Sequence, residues 1–235
     1  MNIDLRVKIE LEHQLNNDMV QVINLPEQYE YVTDREAALY TFVSHRCSQV
    51  KYLFKMDDDV FINTFLLLSS IPTFDVSFNR SQYLLMGYPI DHGRVVRHAT
   101  DTVSQRYIIT EEEYSCPRYP RFLSGFGYVL SFQTCSLFAH AYQLDASPFP
   151  LSDVYFTGLL PEMMNIARIP LTDQVNYLYS HPCNEPFFLS ATQPFACAAS
   201  ADHFDAQQSK ADGSFINDYN AYWTIVKRRF QFEQH

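Results

Sequence analysis

Apolar positions along the chain switch between two periods. Met19 to Leu25 (MVQVINL) is a short, β-branched apolar run closed by Pro26, which predicts a strand. Thr33 with Glu36 three residues on forms a capping box, and Leu39, Tyr40, Val43 and Cys47 then recur at helical spacing, predicting a helix over about 34–46. Tyr52 to Met56 (YLFKM) is an apolar run that ends abruptly in Asp57, Asp58 and Asp59, the pattern of a buried strand delivering charge at its carboxyl end. The leucine-rich Thr64 to Ile71 reads as a helix up to Pro72, and Tyr83 to Tyr88 as a second buried strand. Gly125 to Leu130 reads as a glycine-marked strand, Phe132 to Leu144 as an amphipathic helix, and Asp153 precedes another helical stretch to about Ile166. Strands alternating with helices imply an α/β layered domain whose ligands gather at the carboxyl ends of strands, where the aspartates fall. Beyond about residue 180 the pattern weakens at Pro182, Pro186 and Pro194, and the tail ends in an aromatic, basic stretch from Trp223 to Phe230. The expectation is a single domain over 1–235, with 201–235 as a carboxy-terminal extension packing on it.

Composition narrows the class. Apolar residues make up 47% of the 235 and charged ones 19%, far from a disordered profile. The 17 basic residues against 27 acidic ones repel a phosphate backbone, which excludes a general nucleic-acid binder. An acidic chain still binds an anionic nucleotide if a cation bridges them. Five cysteines without a C-x-x-C pair argue against a zinc ribbon and for disulfides, and Asn79-Arg80-Ser81 is an N-glycosylation triplet that agrees with an oxidising compartment. The opening MNIDLRVKIELEH has neither a signal-peptide core nor the ~20 apolar residues of a membrane anchor. Two expectations stand side by side: a fragment that has lost its targeting segment, or a soluble protein with reduced cysteines.

The chemistry concentrates at three adjacent carboxylates. Asp57, Asp58 and Asp59 repel one another unless a cation or water screens them, and hard divalent ions such as Mg²⁺ or Mn²⁺ take one or two protein carboxylates and fill their remaining positions with phosphate oxygens and water. An EF-hand is excluded by the absent D-x-[DN]-x-[DN]-G spacing. A solvated acidic turn is the competing reading, against which stand the hydrophobic flanks YLFKM and VFI.

KMDDDVFIN (55–63) closely resembles the K-x-DDD-V-F-V-N segment of the β1,3-galactosyltransferase and N-acetylglucosaminyltransferase family, which transfers sugars from UDP donors. PRFLSGFGYVLS (120–131) resembles that family's YP-x-Y-x-S-G-x-G-Y-V-L-S block, and SDVYFTG (152–158) its EDV-Y-x-G block. Upstream, Glu12 with Asp18 and the Tyr29 to Arg35 run are loosely similar to its E…GDI and Y-x-N-L-T-L-K segments. The resemblance implies a GT-A type, Rossmann-like, three-layer fold with a mixed central sheet, and a donor site closed by the aspartates. It implies Asp59 as the direct ligand of Mn²⁺ or Mg²⁺, with Asp57 and Asp58 on the uridine and ribose or the metal's water shell. Asp153 takes the position of the general base that deprotonates the acceptor hydroxyl; the competing reading of Asp153 by itself is a helix cap. Arg35 falls at the family's lysine and pairs with donor phosphate, while Gly125 and Gly127 let backbone approach a sugar. His203 is the first candidate, and His181 the second, for the histidine that completes the metal shell.

The implied activity is an inverting, metal-dependent β1,3-hexosyltransferase that moves Gal or GlcNAc from a UDP-sugar to a glycan on a glycoprotein or glycolipid. The implied place is the Golgi lumen, as a type II membrane protein whose anchor precedes this chain. Two departures favour a rival: Ser152 stands where the family usually has glutamate, and little chain precedes Glu12 to form the family's first strand. That rival is a non-catalytic, glycan-binding or chaperone-like relative. A metal-dependent phosphohydrolase using the aspartate cluster is a third expectation.

Overall fold

The computed structural model describes residues 3–26, 28–58, 60–171, 183, 195–198 and 214–232. At its centre is a four-stranded mixed sheet in the order β1 (Tyr52–Met56), β4 (Phe122–Ser131), β3 (Leu85–Ile90), β5 (Ile169–Pro170). The pairs β1/β4 and β4/β3 are antiparallel, while β3/β5 is parallel. A second, two-stranded sheet pairs β2 (Val60–Ile62) with β6 (Ala196–Ala198).

The sheet is covered on both faces. On one side α2 (Val32–Arg46) packs beside α6 (Phe132–Leu144), and Tyr40, Leu85, Leu123, Tyr128, Leu130, Phe138 and Phe156 fill the space beneath them. On the other side Phe74 of α4 (Ile71–Arg80) joins Leu84, Met86, Phe126, Val129, Phe195 and Ala196. Leu84 and Met86 point one way and Leu85 the other, the period-two alternation of a strand buried on both faces. The period slips in β4, where Phe126 and Val129 share a face although three residues apart. Its neighbour β3 shifts register between Gly87 and Pro89 at the same level, and the glycines there accommodate the kink. A Cβ at Gly87 would come 2.9 Å from the Tyr128 Cβ, so this close approach of strands requires glycine.

Helix ends follow from local side chains. Ser131 accepts from the Thr134 N–H (3.3 Å) to start α6, and Asn63 accepts from the Leu66 N–H (3.2 Å) to start α3 (Thr64–Ser69). α5 (Thr102–Gln105) is a single turn in the irregular middle, capped by Asp101. Further on, α7 (Ser152–Val154) runs through a π turn (Tyr155–Leu159) into α8 (Leu160–Met164), which stops where Asn165 takes a left-handed conformation at φ 55°.

Three expectations are corrected. Met19 to Leu25 is irregular, not a strand: Val20, Val22 and Ile23 are exposed and among the described residues no strand pairs with them, without which an isolated apolar run gains nothing from extending. The charged opening instead coils into α1 (Ile3–Asn16). The Thr33/Glu36 capping box does not form: the Thr33 hydroxyl donates to the Phe149 carbonyl at 2.8 Å, and Glu36 faces the core. Pro72 does not end a helix; it occupies the first turn of α4, where its missing N–H costs nothing.

The last helix, α9 (Ser214–Phe232), lays Tyr219, Tyr222 and Trp223 against Phe61 and Phe65, and the Tyr219 hydroxyl donates to the Val60 carbonyl. A disulfide joins Cys183 to Cys197 beside this contact, while Cys47, Cys116 and Cys135 are free thiols. Among the described residues no helix is long and apolar enough to cross a membrane.

Candidate active site

The site is built where β1 ends beside the middle of β4. Tyr52 to Met56 pairs with Ser131 to Gly127, and the Asp57 N–H continues the ladder to the Phe126 carbonyl at 3.3 Å. The strand therefore places Asp57 against Gly125 as it runs out into an exposed turn carrying Asp58. Asp59 lies outside the described residues, as do His203 and His181.

Asp153 reaches the same point from the opposite direction. Thr157, fully buried in the π turn, accepts from the Leu123 N–H (2.8 Å) and donates to the Asp153 carbonyl (2.5 Å), which clamps the start of α7 onto β4. An ideal Cβ at Gly125 would lie 3.7 Å from Asp153 Oδ2 and 3.8 Å from Asp57 Oδ2. The two carboxylates, far apart in sequence, face each other across one glycine. Asp153 does not act as the N-cap that a short polar residue before a helix suggests: Leu151 holds that position, and Asp153 Oδ1 accepts from its neighbour Val154 N–H at 2.8 Å.

Electrostatics separates the pair. Burial pushes the Asp153 carboxyl up to about 6; the Val154 N–H opposes the rise, the Glu36 and Asp57 charges add to it, and Lys55 offsets it in part. Asp57 is half-exposed, and its Oδ1 accepts from Lys55 Nζ at 2.8 Å. Lys55 also donates to the Gly125 carbonyl (3.0 Å) and stands 5.7 Å over the Tyr128 ring. Burial pushes the Lys55 ammonium down, but Glu36, Asp57 and Asp153 together hold it above its ordinary value. Asp153 is thus a buried carboxyl lifted toward neutrality, with the half-exposed Asp57 carboxylate facing it across Gly125.

Behind Lys55 lies a buried polar cluster that sequence reasoning missed. Glu36 accepts from the hydroxyls of Tyr40 (2.6 Å) and Tyr128, which lie 2.5 Å from one another. Burial and the Glu36 charge push both phenols well above their ordinary range, so they remain neutral. Two aromatic pairs include tyrosines that feel the Asp153 charge. Tyr29 meets Tyr107 edge-on at 5.5 Å, the Arg106 guanidinium covers both rings at 5.0 and 5.2 Å, and Tyr119 packs on Phe149 at 5.9 Å. Burial pushes Tyr29 and Tyr119 up, Tyr119 to about 12, with the Asp153 charge contributing to both.

The remaining expected residues divide. Gly125 lies between the carboxylates; Gly127 is buried in the strand opposite Met56, one pleat behind. Arg35 aims its guanidinium at the Pro26 carbonyl, 3.3 Å away, rather than at the aspartates. Ser152 is buried next to Asp153. Among the described residues no group of three His, Cys, Asp or Glu forms a metal site. The donor chemistry nonetheless fits a hard divalent ion, because Asp57 presents a half-exposed carboxylate at the open end of a rigid strand, and carboxylate oxygen is what Mg²⁺ and Mn²⁺ take.

The galactosyltransferase family profile matches residues 2–172, a span containing every described residue of this site. The chain belongs to the galactosyltransferase family. It is 27% identical over 178 residues to human UDP-GalNAc:beta-1,3-N-acetylgalactosaminyltransferase 1, covering 74% of this chain and 50% of that protein. The rat protein of the same name is 28% identical over the same length. Human UDP-GlcNAc:betaGal beta-1,3-N-acetylglucosaminyltransferase 9 is 33% identical over 139 residues, 59% of this chain and 32% of that relative. The chain thus spans about half the length, or less, of these galactosyltransferase relatives. The matched span contains the whole four-stranded sheet, whereas β6, the disulfide and α9 follow it.

Proposed function

We propose that this chain carries the catalytic face of an inverting, metal-dependent β1,3-hexosyltransferase with a GT-A type fold. It would move Gal, GlcNAc or, as one relative's name indicates, GalNAc from a UDP-sugar to a glycan hydroxyl in the Golgi lumen. The observation that carries this reading is the meeting of Asp57 and Asp153 across Gly125, with Asp153 raised to about 6.

The geometry supports a division of labour within this reading. Asp153 accepts the proton of the acceptor hydroxyl as that oxygen attacks the anomeric carbon, and the Tyr29 and Tyr119 rings within reach of its charge suit the faces of a pyranose acceptor. Gly125 leaves the space between the carboxylates open for the donor sugar. Lys55 locks the Asp57 carboxylate, so that Asp57 and Asp58 meet the nucleotide in a fixed position. Asp59, with His203 as the candidate fourth-side ligand, would hold a divalent ion that neutralises charge growing on the departing UDP.

Incubation with UDP-Gal, UDP-GlcNAc or UDP-GalNAc, MnCl₂ and β-galactoside acceptors should release UDP and form a β1,3 linkage. Asp153→Asn should abolish release while the protein stays folded. No UDP release with any donor and acceptor pair counts against the reading. The buried Ser152 next to the base favours one alternative, a non-catalytic glycan-binding relative; it predicts acceptor binding without any metal-dependent heat from UDP.

A further inference from the structure

Glu36 does more than seat two tyrosines. It is 5% exposed on the inner face of α2, and while its Oε1 accepts from Tyr40 and Tyr128, its Oε2 is buried with no hydrogen-bond partner among the described residues. The nearest opposite charge is Lys55 Nζ at 3.8 Å, on a side chain only 13% exposed. A buried carboxylate oxygen without a hydrogen-bond partner is costly unless an opposite charge faces it, and the group in front of this one is the Lys55 ammonium. Lys55 already spends two donors at the floor of the cleft, on Asp57 Oδ1 (2.8 Å) and the Gly125 carbonyl (3.0 Å).

We propose that Glu36 is a positioning residue for the donor: its charge holds Lys55 at the junction of β1 and β4, and Lys55 fixes the Asp57 carboxylate and the Gly125 backbone where the nucleotide-sugar binds. The inference rests on the reading of Asp57 as part of the donor site. The chain of contacts runs from α2 through Lys55 to the strand ends, so it couples a helix that touches no substrate to the geometry of the cleft. Without the Glu36 charge Lys55 is free to follow the half-exposed Asp57 side chain toward water, releasing the Gly125 carbonyl on the way. The two tyrosine hydroxyls alone do not account for the carboxylate, since an amide oxygen accepts the same bonds.

Glu36→Gln keeps the volume and the oxygen that Tyr40 and Tyr128 address while removing the charge. Titration calorimetry of the full chain with UDP and MnCl₂ should show Kd rising at least about tenfold in Glu36→Gln. Lys55→Met should raise it similarly, and the double variant no further than Lys55→Met alone, because both act through one link. Tyr128→Phe, which loses a hydrogen bond to the same carboxylate but keeps the Glu36–Lys55 pair, should leave Kd within about twofold. If Glu36→Gln does not fold, Glu36→Asp, which withdraws the charge by one methylene, should still raise Kd. A Kd unchanged in the folded Glu36 variant, additive single effects, or an equal loss in Tyr128→Phe overturns the proposal. No metal-dependent UDP heat from the unsubstituted protein overturns the donor site and this inference with it; UDP binding that Glu36 substitution leaves intact overturns the inference alone.

Discussion

Asp153→Asn should make the protein more stable while stopping its chemistry. A carboxyl that titrates near 3.8 in the unfolded chain and near 6 in the folded one binds its proton more tightly when folded. Below pH 4 it is neutral in both states and contributes nothing. As pH rises from about 4 to 6 the unfolded chain ionises first, so stability falls; above 6 the penalty is constant. At ~1.4 kcal/mol for each tenfold in acidity the full penalty is roughly 3 kcal/mol, and partial solvent access to the carboxylate reduces it to about 1–2 kcal/mol. Asparagine removes the charge and its oxygen still accepts from Val154 N–H. For a chain of this size the gain corresponds to a midpoint roughly 3–6 °C higher. The assay is thermal unfolding of both proteins at pH 8 and pH 4 in metal-free buffer, with UDP release measured in parallel. The variant should melt higher at pH 8, the gap should close at pH 4, and turnover should fall by about 10²–10⁴-fold. An equally stable or less stable variant at pH 8, or a gap independent of pH, refutes the strained-base argument.

Because the base must be ionised, kcat/KM should climb about tenfold per pH unit below 6 and level off above it, with the rise absent from any residual activity of Asp153→Asn. Gly125→Ala should fold normally, since its Cβ meets nothing nearer than 3.6 Å, yet lose about 10²-fold in turnover because a methyl then stands between the carboxylates. Gly87→Ala should instead destabilise by about 1–3 kcal/mol, read as a lower denaturation midpoint, because its Cβ would press on Tyr128 at 2.9 Å. Replacing Cys183 and Cys197 together by serine opens a loop spanning 14 residues and should cost about 3 kcal/mol, seen as earlier proteolysis of the β2, β6 and α9 region with Asp153 chemistry less affected.

Much of the framework was legible locally. YLFKM is the strand that its apolar run describes, although as the edge strand of the sheet it is only partly buried, and Phe132 to Leu144 is the helix that its apolar period describes. MVQVINL misled because β-branched composition reports suitability for a strand and not the presence of a neighbour to pair with. Glu36 misled for a related reason: three residues after a threonine it is an ordinary cap partner, and its core-facing role depends on Tyr128, 92 residues away. Arg35 was assigned to donor phosphate because it falls at the family's lysine, while its guanidinium donates instead to the Pro26 carbonyl, nine residues back in the chain.

By itself the sequence determined which chemistry the protein owns: carboxylates at a strand end, an aspartate opening a helical stretch, and glycines between them. These are properties of short segments, set by side-chain type and local period. Only the tertiary structure decided that β1 lies against β4, that a π turn locks Asp153 over Gly125, and that Lys55 stands between Asp57 and a buried Glu36. Strand order and burial come from contacts between segments distant in the chain, and it is burial that lifts the Asp153 carboxyl from its ordinary range to about 6.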